Sequence, residues 1–105
     1  MILINRGIIN RGQRSPQPLR LAVMEKDTLL VAVGGHIRAL RKAKGFSQEG
    51  FAAAAGLDRA YYGGVERGER NLSLRNLVRI AAALEVEVGE LFPPMTELSP
   101  SLTPP

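Results

Sequence analysis

The chain of 105 residues has no cysteine and no tryptophan, and its single histidine is His36. The absence of cysteine excludes a disulfide framework, a thiolate metal site and a thiol nucleophile. One histidine gives no basis for a histidine-based metal or catalytic site. We therefore expect no metal, no cofactor and no enzymatic activity.

Long apolar runs are also missing. No stretch approaches the ~20 apolar residues that span a bilayer. Arginines interrupt the apolar stretches at the N-terminus, which argues against a signal peptide. We expect a soluble, cytoplasmic protein without a membrane partner.

Aromatic residues make up 5% of the chain against 45% hydrophobic residues. Ala, Leu, Val and Ile must therefore build the core, which favours several short helices over a β-sandwich.

The charge is positive overall and sorted along the chain. The formal net charge is +4, and residues 1–23 carry four arginines and no acidic residue. Basic residues outnumber acidic ones by four over residues 38–75, whereas acidic residues exceed basic ones by three over residues 79–97. One end of the molecule is thus suited to nucleic-acid phosphates and the other is not.

Composition divides the chain into three parts. Residues 28–92 carry the apolar spacing of one domain. Residues 1–27 are either a basic, flexible N-terminal arm that reaches DNA, as homeodomain arms do, or a mis-assigned start, since Met24 is an internal methionine. Both interpretations stay open. Residues 93–105 hold five of the seven prolines and predict a disordered, Pro-rich tail.

Apolar residues at helical spacing predict five helices within residues 28–92. The first runs from Thr28 or Val33 to Lys44, and the fifth is short and lies near Glu87 to Phe92. The N-cap residues of the second, third and fourth helices are Ser47, Asp58 and Ser73. The second and third helices are separated by a tight Gly-Leu-Asp turn, and the third has an outer face of polar and small residues. This pattern is typical of a helix-turn-helix that enters the DNA major groove.

Several short sequence motifs, in the same order as in the family, resemble the Xre/Cro-type helix-turn-helix family of phage repressors and bacterial regulators. The resemblance covers about residues 34–92. In chain order, the matching motifs are Arg38 with Arg41, Gly45-Phe46-Ser47-Gln48, Phe51-Ala52, Ala55-Gly56-Leu57, Val65-Glu66-Arg67-Gly68, Ser73-Leu74 with Leu77, and Ile80-Ala81 with Leu84. The last motif is Glu90-Leu91-Phe92. The residues from Leu57 to Tyr61 and from Glu66 to Leu72 look most like controller proteins of restriction–modification systems.

The resemblance implies an all-α fold, a compact five-helix bundle with a lambda-repressor-like DNA-binding helix-turn-helix and flexible tails. It also implies an internal ion pair between Arg41 and Glu66 that joins the first and third helices. Two departures stand out: Tyr62 replaces the usual aliphatic core residue, and Glu85 stands where the family often ends its fourth helix with glycine.

The third helix is the predicted recognition helix. The candidate base-reading residues are Arg59, Ala60, Gly63 and Gly64. Arg59 can form two parallel hydrogen bonds to guanine, and Ala60 either contacts a thymine methyl group or avoids a clash. Gly63 and Gly64 are a further departure from the family, because each glycine inside a helix costs ~1 kcal/mol relative to alanine. At position 64, base reading either comes from a close backbone approach or is absent.

A second group is predicted to bind DNA phosphates: Ser47, Gln48, Tyr61, Arg67, Arg70 and Asn71. Gln48 resembles the family glutamine that grips a phosphate while bracing the recognition helix. Ser47 is a cap with or without a phosphate contact. Tyr61 is either a phosphate-contacting hydroxyl or the edge of the core.

The predicted function is that of a sequence-specific DNA-binding transcriptional regulator, a repressor or a dual activator and repressor. It is expected to bind double-stranded DNA as a homodimer on a symmetric operator, with no small-molecule ligand.

The candidate dimer interface is Val86, Val88, Leu91 and Phe92, although these residues could instead complete the monomer core. The alternative function is a protein-interaction adaptor that keeps the fold without reading DNA. The sequence does not separate a restriction–modification controller from an antitoxin or a prophage repressor.

Overall fold

The computed structural model describes residues 27–102, and its regular secondary structure there is entirely helical. The elements are α1 (Thr28–Ala43), α2 (Gln48–Ala55), α3 (Arg59–Glu66), α4 (Leu74–Leu84), a 3₁₀ helix (Val88–Leu91), α5 (Met95–Leu98) and a second 3₁₀ helix (Ser99–Leu102). The predicted all-α fold is confirmed. No helix within residues 27–102 is both long enough and apolar enough to cross a membrane.

Side-chain caps start the helices where the sequence places them. The Ser47 hydroxyl accepts from the Gly50 amide at 2.9 Å, the Asp58 carboxylate from Tyr61 at 3.0 Å, and the Ser73 hydroxyl from Asn76 at 3.1 Å. Each bond satisfies an amide that has no partner inside the helix. Asp27 caps α1 in the same way, so α1 begins at Thr28 rather than at Val33.

Left-handed backbone ends two of these helices. Gly56 ends α2 with φ 71°, a conformation that glycine adopts without a steric penalty. Glu85 ends α4 with φ 61° and is the one non-glycine residue with positive φ between residues 27 and 102. This position therefore has the backbone conformation that glycine favours, although the residue is glutamate.

The core lies between α1, α2, α3 and α4. Its buried side chains are Val33, Ile37, Phe51, Ala52, Ala55, Tyr62, Val65, Ile80, Ala81, Leu84, Leu91 and Leu98. Three aromatic rings meet in it: the Phe51 centroid lies 5.2 Å from that of Phe46 and 5.1 Å from that of Tyr62. Tyr62 is thus a fully buried core residue.

Helices α1 and α3 are in backbone contact at Gly34. A Cβ atom on Gly34 would overlap with the carbonyl oxygen of Val65. The same occurs after α3, where a Cβ on Gly68 would lie 2.6 Å from the Cα of Val31. These contacts hold the inner side of α3 against α1.

The C-terminal part differs from the prediction in two respects. The predicted fifth helix is a 3₁₀ helix, Val88–Leu91. Residues 93–102, expected to be a disordered tail, instead form α5 and the second 3₁₀ helix, which pack against α1. The reason is that Pro93 and Pro94 precede α5 and do not interrupt it, while Leu98 is buried in the core. The predicted N-terminal arm, apart from Asp27, lies outside the described residues, as do residues 103–105.

Candidate nucleic-acid interface

The N-terminal end of α3 lies at the surface. Arg59 and Ala60, its first two residues, are exposed, whereas Tyr62 and Val65 on the opposite side are 0% and 2% exposed. One side of the helix is therefore packed against the core, and the N-terminal end that carries Arg59 is exposed to solvent. This is the geometry that a groove-reading helix requires.

Gly63 and Gly64 are not exposed, which corrects the expectation that they face the bases. Both are buried. A Cβ on Gly63 would lie 3.0 Å from Arg67 Nη1 and 3.4 Å from Gln48 Oε1, and a Cβ on Gly64 would lie 3.0 Å from Arg70 Cγ. The two glycines make room for three long polar side chains to lie across the helix. In this arrangement Gly63 and Gly64 allow the neighbouring side chains to pack against the helix, and those side chains cover the glycine backbone.

The predicted ion pair between α1 and α3 is confirmed. The Arg41 guanidinium donates to both carboxylate oxygens of Glu66, from Nε at 2.7 Å and from Nη2 at 3.0 Å. Gln48 on α2 donates to the same carboxylate from Nε2 at 3.0 Å. Both charged residues are 6% exposed. One carboxylate at the end of α3 thereby joins three helices, and the predicted bracing contact of Gln48 is in place.

The electrostatic setting of Glu66 follows from these contacts. Burial by itself raises the pKa of a carboxyl group, but the interactions with Arg41, Tyr62 and Gln48 outweigh it and hold the pKa of Glu66 below its usual value. The hydrogen bond to Glu66 also raises the pKa of Arg41. Both groups are therefore charged at neutral pH, as a buried, bidentate pair requires.

Tyr62 is buried beside this pair. Its hydroxyl oxygen is buried and has no hydrogen-bond partner. Burial, with the nearby Glu66 carboxylate, raises the pKa of the Tyr62 hydroxyl. The hydroxyl is thus neutral, and it lies close to the Glu66 carboxylate without meeting the geometry of a hydrogen bond.

The candidate phosphate ligands lie mainly along the second half of α3 and directly after it, where Gln48, Arg67 and Arg70 pack against Gly63 and Gly64. Ser47, Arg67, Arg70 and Asn71 are exposed, and Gln48 and Tyr61 are half-buried. Arg67 is paired with Glu69 at 3.1 Å. The Arg70 guanidinium carbon lies 5.7 Å from the centroid of the Tyr61 ring, within range of a cation–π interaction.

Asn76 is a site residue that the sequence reasoning missed. Its side-chain Nδ2 donates to the Tyr61 hydroxyl at 3.1 Å, linking α4 to the recognition helix. Asn76 also lies next to Arg79, whose Nη1 donates to Asn76 Oδ1 at 3.4 Å. No spacing in the sequence separates Asn76 from the other polar residues of α4, because the contact depends on how the two helices approach each other.

The candidate dimer residues fall into two groups. Val88 is 37% exposed, Phe92 is 36% exposed and Val86 is half-buried. Leu91 is 0% exposed, which agrees for this residue with the alternative that the candidate dimer residues complete the monomer core. Its side chain closes the core of a single chain because the 3₁₀ helix turns it inward. Within residues 27–102, no cluster of His, Cys, Asp or Glu could hold a metal ion.

A sequence profile described as "Helix-turn-helix" matches residues 37–91. Several known proteins also resemble the chain, among them the following three. The control protein C.MunI from Mycoplasma sp is 48% identical over 63 residues, which are 59% of this chain and 85% of that protein. The crystal structure of the restriction-modification controller protein C.AhdI from Aeromonas hydrophila is 57% identical with a TM-score of 0.59, covering 60% of this chain and 96% of that one. The crystal structure of a hypothetical transcription factor from Neisseria is 40% identical with a TM-score of 0.60, and the match covers 68% of this chain and 83% of that one.

Proposed function

The chain belongs to the helix-turn-helix family of DNA-binding transcriptional regulators, and we propose that it binds a symmetric operator as a homodimer through the major groove. The observation that carries this proposal is the exposed start of α3. Arg59 and Ala60 lie free at a capped helix end whose other side is buried. Polar and cationic side chains lie along the rest of α3 and after it, where they could contact DNA phosphates.

Base reading in this proposal belongs to Arg59 and Ala60. The guanidinium of Arg59 fits the O6 and N7 acceptors of guanine, and the small Ala60 tolerates a thymine methyl group. Gly63 and Gly64 contribute indirectly, because they let Gln48, Arg67 and Arg70 lie across the helix. This packing role removes the main argument for an adaptor without DNA reading.

Phosphate binding belongs to Ser47, Gln48, Tyr61, Arg67, Arg70 and Asn71. The Gln48 amide already donates to Glu66, so a phosphate held by its second N–H would be tied directly to the recognition helix. Arg67 has to exchange Glu69 for a phosphate, whereas Arg70 lies against the Tyr61 ring. These contacts carry no sequence information, but they release counterions and set the salt dependence of binding.

We place the dimer interface at Val86, Val88 and Phe92. Val86 and Val88 lie in the acidic segment between Glu85 and Glu90, and Phe92 lines a cavity that Arg70 and Asn71 also line. Two copies on half-sites about one helical turn apart would double the number of bases read. A monomer reads too few base edges to be selective.

The relatives suggest a biological role. C.MunI and C.AhdI are named as control proteins, the latter of a restriction–modification system. We propose the same role here: control of a small operon, acting as a repressor or as a dual activator and repressor in the cytoplasm, on the DNA itself. Genes for a methyltransferase and a nuclease beside the coding sequence would support this role, and a toxin gene would contradict it.

Selection of bound sites from random DNA, followed by footprinting, tests the proposal directly. A palindromic consensus is the expected result, and recovery of no preferred site would overturn it. Arg59→Ala should then weaken binding by ~1–3 kcal/mol and relax the preference at one base pair in each half-site. Arg59→Lys is the matched control, since it keeps the charge and the salt dependence but loses the bidentate geometry.

Arg70→Ala should behave differently. It should weaken binding to all sequences alike and reduce the salt slope by about one, because it removes one phosphate contact. If Arg59→Ala and Arg70→Ala have the same effect on sequence preference, the division into base-reading and phosphate-binding residues is wrong.

A further inference from the structure

Tyr61 is held from two sides in the free protein. The Asn76 Nδ2 donates to its hydroxyl at 3.1 Å, and the Arg70 guanidinium lies over its ring at 5.7 Å from the centroid. Arg70 can lie there because Gly64 has no side chain: a Cβ would come within 3.0 Å of Arg70 Cγ. A tyrosine fixed in this way loses little conformational freedom when it meets a ligand.

The direction of the hydrogen bonds matters for what the hydroxyl can do. A guanidinium only donates, so Arg79 Nη1, at 3.4 Å, faces the oxygen of the Asn76 amide. The amide nitrogen then faces Tyr61, as the hydrogen bond at 3.1 Å shows. The Tyr61 oxygen therefore accepts a hydrogen bond, and its own O–H is left to donate elsewhere.

A DNA phosphate is the acceptor that matches this arrangement. Phosphodiester oxygens carry negative charge and only accept hydrogen bonds. Tyr61 is the third residue of α3, directly after the exposed Arg59 and Ala60. A donor at this position lies beside the bases that α3 would read.

We propose that Asn76 is a positioning residue for Tyr61. It orients the tyrosine hydroxyl as a donor to a DNA phosphate, and Arg79 sets the orientation of the Asn76 amide. This inference rests on the proposed function, since the phosphate belongs to the operator. The contact is neutral on the protein side, so it adds affinity without adding to the salt dependence.

The test is a double-mutant cycle between Tyr61→Phe and Asn76→Ala. The probe is the labelled duplex recovered by selection from random DNA, and affinity is measured by fluorescence anisotropy at several salt concentrations. Each single variant should bind about 2- to 10-fold more weakly, the range for one hydrogen bond. The double variant should be no weaker than Tyr61→Phe, because Asn76 acts only through the hydroxyl.

Two readouts separate positioning from a general structural effect. The salt slope should stay unchanged in all three variants, in contrast to Arg70→Ala. In the free protein, the NMR signals of the Asn76 side-chain amide should shift on Tyr61→Phe, which needs no DNA. Losses that add up in the double variant, or an unshifted amide signal, would overturn the positioning role.

The outcome also distinguishes this proposal from the one it rests on. If Arg59→Ala impairs operator binding while Asn76→Ala does not, only the positioning role fails. If selection recovers no preferred site, or neither variant nor Arg59→Ala changes affinity for the selected duplex, the proposed function itself fails.

Discussion

A single carboxylate connects three helices of this protein. Glu66 accepts hydrogen bonds from Arg41 on α1 and Gln48 on α2, and its side chain is 1% exposed. A buried pair of this kind contributes little net stability compared with apolar packing, but it is costly to break from one side. Its value here is geometric, because it fixes the end of α3 against the two helices that support it.

Glu66→Gln tests this role. The substitution leaves the Arg41 charge buried without a counter-charge, so the free energy of unfolding should fall by about 3–5 kcal/mol. Urea denaturation at pH 7 measures the change. Glu69→Gln is the control, because the ion pair that Glu69 forms with Arg67 is exposed and worth little. Equal losses in both variants would contradict the structural role of Glu66.

The pH dependence of stability follows from the lowered pKa of Glu66. A group whose pKa is lower in the folded state stabilises the fold above its unfolded value, near 4.5 here, and loses that contribution as the pH falls through the folded value. The wild-type protein should therefore become less stable below about pH 4.5. Glu66→Gln should show a flatter acid profile in urea denaturation from pH 7 to pH 3, and an identical profile would count against this assignment.

Tyr62→Phe should stabilise the protein by about 1 kcal/mol. The hydroxyl that it removes is buried without a partner, and such a group costs free energy. The raised pKa of Tyr62 adds an alkaline effect: the unfolded chain ionises near pH 10 while the folded one does not, so wild-type stability falls above that pH. Urea denaturation at pH 7 and pH 10.5 checks both points, and a clear loss of stability at pH 7 would indicate a hydrogen bond to the hydroxyl.

At the scale of helices, the contact between α1 and α3 depends on a missing side chain. Gly34 and Gly35 are neighbours in α1, but only Gly34 lies against α3, where a Cβ would overlap with the Val65 carbonyl. Nothing lies within 4 Å of a Cβ at Gly35. Intrinsic helix propensity favours alanine over glycine at both positions. The packing against α3 is therefore the only expected difference between substitutions at Gly34 and at Gly35.

Gly34→Ala and Gly35→Ala should therefore have opposite effects. Gly34→Ala should destabilise the protein by about 1–3 kcal/mol, since the two backbones have to move apart. Gly35→Ala should stabilise it by up to about 1 kcal/mol through helix propensity. Thermal unfolding followed by circular dichroism measures both. Two changes of the same sign would show that α1 does not approach α3 as described.

Across the whole molecule, the proposed DNA-binding surface and the proposed dimer surface carry different chemistry. Arg59, Arg67 and Arg70 are exposed on and after α3, whereas Val88 is exposed in a segment that contains glutamates 85, 87 and 90. Exposed apolar side chains are suited to a second copy of the chain, and the carboxylates of that segment disfavour phosphates. Two-fold symmetry would then place both recognition helices on the same side of the dimer.

Phe92→Glu should weaken the dimer. The side chain is 36% exposed and lines a mainly apolar cavity, so circular dichroism first checks that the variant folds, and a dimer would desolvate the charge further. Sedimentation velocity should show a shift towards monomer, and operator binding should require more protein. Leu91→Ala is the contrasting control, because its fully buried side chain should cost 2–5 kcal/mol of unfolding free energy. An unchanged sedimentation coefficient for Phe92→Glu would place the interface elsewhere.

Local chemistry explains which features the amino-acid sequence alone was enough to predict. The caps at Ser47, Asp58 and Ser73 and the stop at Gly56 depend on atoms within a few residues of one another, so they are legible in the chain itself. The resemblance to known regulators added the ion pair of Arg41 and Glu66.

The remaining features depend on residues that are distant in the chain and meet only when the helices pack. The covering of Gly63 and Gly64, the bond from Asn76 to Tyr61, and the inward positions of Leu91 and Leu98 each require the relative placement of two elements. Periodicity places a side chain on a face of its own helix, but the neighbour on that face is set by packing. For this reason the recognition helix was found from sequence, whereas the side chains that hold it in position were found only in the folded structure.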